Sequence, residues 1–407
     1  MIRVVVIGGG PAGMMAAITA AQAGASVVLI EQNRILGKKL LITGKGRCNV
    51  TNFSSEEELI GNVVTNSKFL YSAFSAFNAY DTYAKFEEWG VPLKIERGNR
   101  VFPESDRAVD IRNAMRRELQ MLKVMVVEDR VVGISSSPMS VKGEQSRYDC
   151  DSIIIATGGC SYPLTGSTGD GYRLASSVGH RVVKPSAALV PLLEEGNTCS
   201  ALMGLSLKNV QLSLIGCNGK ILYKDFGEML FTHEGLSGPI VLSASSFLRD
   251  DCFPCVAEID LKPALDRETL DARLLRDFAE FSNKDFQNAL GKLLPQKMIP
   301  IVIKRSGIPA KNKVHQITRA QREALIDVIK HFRVSIRKKS GFSEAIITSG
   351  GIAVDQINPK TMESKLLPGL FFAGEVIDVD ALTGGYNLQI AFSTGVLAGK
   401  SAAKGEK

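Results

Sequence analysis

The sequence predicts an α/β chain in which a nucleotide-binding layer of strands and helices is interrupted by a second, β-rich piece. Three observations carry this expectation. The chain opens as strand, glycine turn, helix, strand; it closes on a strand followed by a glycine-led helix; and between them the pattern changes to short alternating strands and then to charged helices.

In order, the opening reads as strand Val4 to Ile7, turn Gly8 to Gly13, helix Met14 to Ala23 and strand Val27 to Ile30, a βαβ unit. Helical stretches follow around Lys68 to Trp89 and at Asp110 to Leu122, with short β-rich runs at Val124 to Val127 and Val131 to Ser135. A strand Ile153 to Ile155 runs into Ala156-Thr157-Gly158-Gly159, where small residues permit a close chain crossing. From about Ala188 short strands alternate, and Asn218-Gly219 is placed as a tight hairpin turn between Gln211 to Ile215 and Ile221 to Tyr223. Residues 266 to 333 read as helical, with a break at Pro295 and a loop at Ser306 to Pro309. Strand signals return at Ala345 to Thr348 and Leu370 to Ala373, before a long helix from Tyr386 to Ala403. The expected organisation is a discontinuous Rossmann-type domain, 1–188 with 342–407, an inserted β-barrel-like domain at 189–265, and a helical subdomain at 266–341.

Composition narrows the class. The 407 residues suit two or three domains, and 45% hydrophobic with 22% charged residues is ordinary for a soluble globular protein. No run of 18 apolar residues could span a bilayer. Met1-Ile2-Arg3 leads straight into an apolar strand, leaving no room for a secretory leader, so a cytoplasmic location is expected. Seven scattered cysteines suit reduced thiols, and the lone Cys252-Phe253-Pro254-Cys255 pair lacks the context of a redox motif or a zinc site. A net charge of +7 with dispersed basic residues indicates no nucleic-acid partner, and Arg337-Lys338-Lys339 reads as a solvated helix end. The expected partner is a small-molecule substrate, with no metal.

The strongest motif is Gly8-Gly9-Gly10-Pro11-Ala12-Gly13, a G-x-G-x-x-G placed directly after a strand and opening a helix. Gly8 suits the tight turn, Gly10 the approach of a pyrophosphate, and Gly13 the packing of helix on strand, with the helix N-terminus facing the phosphates. Glu31, ending the next strand, is placed to accept hydrogen bonds from the adenosine ribose, and its charge argues against a 2′-phosphate. One such motif does not separate NAD from FAD. Phe371-Phe372-Ala373-Gly374-Glu375 and Thr383-Gly384-Gly385-Tyr386-Asn387 decide it: a strand, an acid and a glycine-led helix at the C-terminus complete the arrangement of two-dinucleotide-binding-fold flavoproteins. The cofactor expected is non-covalent FAD.

Six ordered blocks add to this: Gly44-Lys45-Gly46-Arg47-Cys48-Asn49-Val50-Thr51-Asn52; Arg100-Val101-Phe102-Pro103; Ala156 to Tyr162 with Thr165 to Tyr172; Leu230 to Gly235; Ser237-Gly238-Pro239; and Gly384 to Gln389. Over nearly its whole length the chain resembles the bacterial BaiN/RdsA (YhiN-like) family of FAD-dependent oxidoreductases. Departures are Thr43-Gly44-Lys45-Gly46, where the family is richer in glycine, and Ala381, where a glycine usually follows Asp380. The resemblance implies an NAD(P)H-dependent reductase of an activated C=C bond, such as a 3-oxo bile acid or steroid enone. A small-amine oxidase resembling aminoacetone oxidase, and a non-metabolic flavin-binding or RNA-associated protein, stay open as alternatives. No second G-x-G-x-x-G is visible, so NAD(P)H would enter as a transient co-substrate.

The residues expected to hold FAD are Gly8, Gly10, Pro11, Ala12, Gly13, Glu31, Gln32, Lys39, Gly46, Arg47, Cys48, Val127, Ala156, Thr157, Gly158, Gly374, Glu375, Gly385, Asn387 and Leu388. Arg47 is a candidate stabiliser of a reduced-flavin or substrate anion, Tyr386 or Tyr162 a candidate proton donor, and His233 either a pocket-roof residue or a structural histidine. Cys48 reads as packing rather than as a redox thiol. Lys45 would lie beside the flavin ring and bias substrate charge.

Overall fold

The computed structural model describes residues 1–404, which fall into two compact units: Met1–Ala188 with the C-terminal segment from Gly341, and Leu189–Ser340.

The first unit is built on a five-stranded parallel sheet in the order Leu370–Phe372, Ser152–Ile155, Arg3–Ile7, Ser26–Glu31, Met125–Glu128. The register pairs Val4 with both Ser152 and Val27, Ile154 with Phe371 and Ile30 with Val127. The central strand is apolar on both faces because both are covered, as parallel sheets require. The helix Pro11–Gln22 is buried from Ala12 to Thr19 and on to Ala20, which its nearly all-apolar sequence permits. It packs along the C-terminal helix Tyr386–Ala402 at backbone contact: a Cβ on Gly395 would lie 2.5 Å from the Ala12 carbonyl oxygen, and one on Gly399 2.4 Å from that of Ala16. The strands Val182–Ala188 and Ile347–Ile352 pair antiparallel within this unit.

Where one helix was expected from Lys68 to Trp89, the chain forms a 3₁₀ turn Ser67–Leu70 and two helices, Tyr71–Ala76 and Ala79–Glu88. Asn78 causes the break. Its side chain accepts from the Tyr80 and Asp81 amides while Asp81 returns a bond to its own amide, a capping box that starts a new helix.

The second unit contains a closed six-stranded barrel in the order Leu192–Glu194, Gly235–Ser237, Ile221–Phe231, Ser206–Gly216, Cys255–Asp260, Phe332–Lys339. The Asn218-Gly219 turn joins its longest hairpin, with Gly219 at φ +75°. The helices Arg267–Glu280, Ile299–Ser306 and Arg319–Lys330 build no core of their own; Leu270, Leu274, Val302 and Leu325 share one buried cluster with Ile259, Val334 and Ile336 of the barrel. Arg337-Lys338-Lys339 end a strand, not a helix. Phe332, Val334 and Ile336 alternate inward with exposed Arg333, Ser335 and Arg337 outward, so the two-residue period overrides the charge cluster.

No described helix is long and apolar enough to cross a membrane.

Candidate cofactor site

The site is assembled at the carboxyl ends of the parallel strands, where a nucleotide binds in this topology. Gly8 leaves the first strand with φ +105°, and a Cβ there would fall 2.5 Å from the Ala156 carbonyl oxygen of the neighbouring strand's exit. A Cβ on Gly13 would fall 1.8 Å from the Gly8 carbonyl oxygen, so no other residue lets the helix start so close to the turn. Gly10 differs from both: a Cβ there meets nothing within 4 Å. Pro11 stands at the first helical position, and the amides after it have no intrahelical acceptor. The result is open space directly in front of a positive helix end, which fits a pyrophosphate.

Glu31 faces this turn. Its carboxylate accepts from the Gly9 amide at 2.7 Å and from the Asn33 amide and side chain at 2.9 and 2.7 Å, leaving acceptor capacity for ribose hydroxyls. Gln32 donates to the Gly166 carbonyl at 2.7 Å, and Val127 lies half-buried on the edge strand beside Ile30. The Thr157 hydroxyl and the Asn49 side-chain oxygen are buried without a hydrogen-bond partner, polar atoms for which a bound cofactor would account.

Gly374 brings the C-terminal segment onto the first helix, where a Cβ would sit 2.6 Å from that of Ala12. Glu375 then pairs with Lys39 at 2.9 Å, the two side chains 21% and 19% exposed, and accepts from Ser161 Oγ at 2.7 Å and the Thr348 amide at 2.8 Å. Burial pushes the Glu375 carboxyl up, but the attraction and hydrogen bond of Lys39 and the bonds from Ser161 and Thr348 outweigh it and hold it below the usual carboxylate range. Gly158, with φ +72°, lies beside this pair.

The loop at 44–49 winds through left-handed residues Gly44, Lys45, Gly46 and Cys48. Arg47 does not stand free to receive an anion. It bonds Glu96 and Asp106 and lies 4.1 Å over the Phe102 ring, and Asp106 also takes Lys94 at 2.9 Å, so the expected anion-binding cation is already neutralised. Lys45 is exposed. Cys48 is buried completely, and burial pushes its thiol up to about 12, which removes the thiolate a redox role requires.

Tyr386 begins the C-terminal helix half-buried, and burial, with Glu58 nearby, raises its phenol above the ordinary range. The Asn387 amide does not face open space; it braces its own chain, donating to the Ala381 carbonyl at 2.8 Å and accepting from the Ala381 amide at 3.0 Å. Leu388 packs against the core. Tyr162, left-handed at φ +49° and half-buried, is likewise raised by burial. His233 is exposed on the turn between two barrel strands of the second unit and is not among the residues gathered in the first.

Sequence reasoning passed over Ser161, Thr348 and the buried amide of Gln389, which tie these segments together. Thr348-Ser349-Gly350-Gly351, with both glycines at positive φ, repeats the signature of Ala156-Thr157-Gly158-Gly159 and was the available signal.

Comparison with known proteins agrees with this geometry. A family described as HI0933-like protein Rossmann domain matches residues 2–401. The 3-dehydro-bile acid delta(4,6)-reductase of Clostridium scindens is 31% identical over 99% of this chain and 100% of that protein. The ribosomal RNA dihydrouridine synthase of Haemophilus influenzae is 30% identical over 96% of each chain, and that of Escherichia coli 31% over 96% and 95%. Among solved structures, the 3-ketosteroid-delta4-(5alpha)-dehydrogenase of Rhodococcus jostii superposes with a TM-score of 0.52 at 14% identity, covering 99% of this chain and 97% of that one. The 3-ketosteroid delta1-dehydrogenase of Sterolibacterium denitrificans gives 0.53 at 12% identity over 100% of both, and at such identities these likenesses speak for the fold. With a match running nearly end to end and the nucleotide turn in place, the chain belongs to the HI0933-like Rossmann family and is a flavoprotein oxidoreductase.

Proposed function

We propose that this protein is an FAD-dependent reductase of a C=C bond conjugated to a carbonyl, taking its electrons from NAD(P)H and acting on a 3-oxo bile acid or steroid enone. The observation that carries the reading is that relatives matching along the whole chain are named for two dissimilar substrates, a dehydro-bile acid and a uridine. Both reactions saturate a carbon-carbon double bond next to a carbonyl. A shared scaffold that does this points to the bond type rather than to the molecule carrying it.

Bound FAD would supply hydride acceptance and donation at its N5. The chain's own residues do the rest. The amides behind Gly10 bind the pyrophosphate, and Glu31 orients the ribose. Glu375, held ionised by Lys39, Ser161 and the Thr348 amide, offers a fixed acceptor for the cofactor's hydroxyls. Tyr386 and Tyr162, their phenols raised by burial, stay protonated at neutral pH and are the candidate donors of the proton that completes saturation. Arg47 takes no part as an anion receptor, because Glu96 and Asp106 engage it.

A second reading, the same saturation performed on uridine in RNA, draws on the two relatives named as ribosomal RNA dihydrouridine synthases.

The test is anaerobic mixing of the FAD-loaded protein with NADH and NADPH separately, followed by a 3-oxo steroid enone or a uridine-containing RNA. Rapid flavin bleaching by either nucleotide, with re-oxidation by the enone, supports the first reading. Re-oxidation by the RNA alone supports the second. Absence of bleaching by both nucleotides, with bleaching by a small amine, replaces both with the oxidase.

A further inference from the structure

We propose that Gln389, acting with Thr51 and Asn52, is a positioning device that fixes the glycine turn opening the C-terminal helix and thereby sets the electrostatic environment of the flavin. The inference rests on the reading that the cofactor lies at this helix N-terminus.

Gln389 is fully buried, and its amide is hydrogen-bonded to capacity. The oxygen accepts from Thr51 Oγ1 at 2.6 Å and Thr82 Oγ1 at 2.8 Å; the nitrogen donates to the Phe77 carbonyl at 3.1 Å and Ser393 Oγ at 2.9 Å. Three of the four bonds reach distant residues, Thr51, Phe77 and Thr82, and the fourth stays on the same helix at Ser393; together they admit one orientation of the side chain. Its own backbone amide donates to the Gly385 carbonyl at 3.1 Å, so the clamp acts directly on the first helical turn.

The same strand holds the turn from its other side. Asn52 is 2% exposed, and its Nδ2 donates to the Gly384 carbonyl at 3.0 Å and to the Gly98 carbonyl at 3.0 Å. Gly385 presses on Thr51 so closely that a Cβ would stand 2.4 Å from the Thr51 carbonyl carbon and oxygen. Gly384 and Gly385, at φ +133° and +102°, have little steric restraint of their own. A turn of two glycines would rock unless something outside it took up that freedom, and Thr51, Asn52 and Gln389 do so.

A network serving packing alone has a cheaper form. Matching apolar side chains at 51, 82 and 389 would fill the same volume with no desolvated polar groups. A satisfied polar network adds directionality, and its bonds converge on the end of the helix whose amide dipoles would face the flavin. Thr51 and Asn52 also continue directly from the 44–49 loop, so one short strand couples the two segments that resemblance places against the ring.

The test uses FAD-loaded protein carrying Gln389→Met, Thr51→Val or Thr51→Ser, and reads the midpoint potential and absorbance envelope of the bound flavin during chemical reduction, beside the rate of reduction by nicotinamide. Thr51→Val keeps the shape and loses the hydroxyl; it is expected to retain FAD, shift potential and spectrum, and slow reduction by about tenfold. Thr51→Ser restores the hydroxyl and should return all three to the parent values. Gln389→Met should move them further in the same direction; if it does not fold, the Thr51 pair decides alone. Parent potential and spectrum in Thr51→Val, with only the melting temperature lowered, would overturn the positioning role while leaving the flavin reading intact. A parent protein that takes up no FAD would overturn both.

Discussion

Two helices of the first unit start at glycines, and the two starts are built in opposite ways. At Gly10 the space beyond the backbone is open; at Gly385 it is filled by the backbone of Thr51. The first turn needs glycines at 8 and 13 to let chain meet chain, and leaves position 10 clear, the space into which the proposed pyrophosphate would fit. The second is buttressed by its own chain, through the Thr51 backbone and the Asn52 side chain. Glycine in a nucleotide fold thus serves two unrelated needs, room for a ligand and room for the protein itself, and only the surroundings tell them apart.

That contrast breaks most readily at its two glycines. Gly385→Val forces a β-branched residue into φ +102° against the Thr51 backbone, and unfolding measurements should show a loss of at least about 3 kcal/mol with or without FAD. Gly10→Val, at an ordinary φ of −77°, should leave the stability of the cofactor-free chain within about 0.5 kcal/mol while abolishing FAD retention. A Gly10→Val protein that stays yellow after gel filtration would end the distinction.

Next in size is the ion pair of Lys39 with Glu375. Lys39→Met leaves a carboxylate buried with only neutral donors and should cost about 3 kcal/mol at pH 7. Since the Glu375 carboxyl is held low in the folded chain, its contribution is present above the unfolded carboxyl value of about 4.3 and is lost as the pH falls through the lower native one. The difference between Lys39→Met and parent should therefore narrow on acidification, and a pH-independent difference in urea titrations would assign the loss to packing instead.

Glu31→Ala sharpens the ligand side alone. Losing a charged acceptor should weaken FAD retention by roughly 1.5–3 kcal/mol, about ten- to a hundredfold, measured by equilibrium dialysis. Unchanged affinity would misplace the ribose. The smallest effect is at Cys48, whose thiol burial raises to about 12: iodoacetamide at pH 7.5 should modify exposed Cys217 and spare Cys48 in the native chain. Labelled Cys48 in a peptide map would show that the 44–49 loop opens.

The first start was legible from sequence because its demands are local. Gly8, Gly10, Gly13 and Glu31 lie within one βαβ unit, and the spacing itself encodes the turn. The second was legible only as a helix led by glycines. Its restraint comes from Thr51 and Asn52, more than 300 residues away along the chain (338 for the Thr51–Gln389 bond), and no period or spacing announces such a pair. Arg47 misled for a related reason. Its motif is conspicuous, but Glu96 and Asp106, which neutralise it, belong to a different hairpin and the loop beyond it. The misreading at Arg337 to Lys339 differs in kind, since the alternation of Phe332, Val334 and Ile336 was visible and the charge cluster was given more weight than the period. Asn78-x-x-Asp81 was likewise a readable cap inside a stretch taken as one helix.

The sheet order has a consequence for the order of events during synthesis. The strand Leu370–Phe372 completes the sheet beside Ser152–Ile155, and the helix that seals the first helix against water begins only at Tyr386. The leading part of the nucleotide fold therefore leaves the ribosome early with one strand edge and one helix face uncovered. The continuous second unit, Leu189–Ser340, is fully made before either cover exists. The interval between Ile155 and Leu370 is thus a window in which the nascent flavin domain carries uncovered apolar surface, and slowing translation there should lower the yield of folded protein more than slowing it after the last helix.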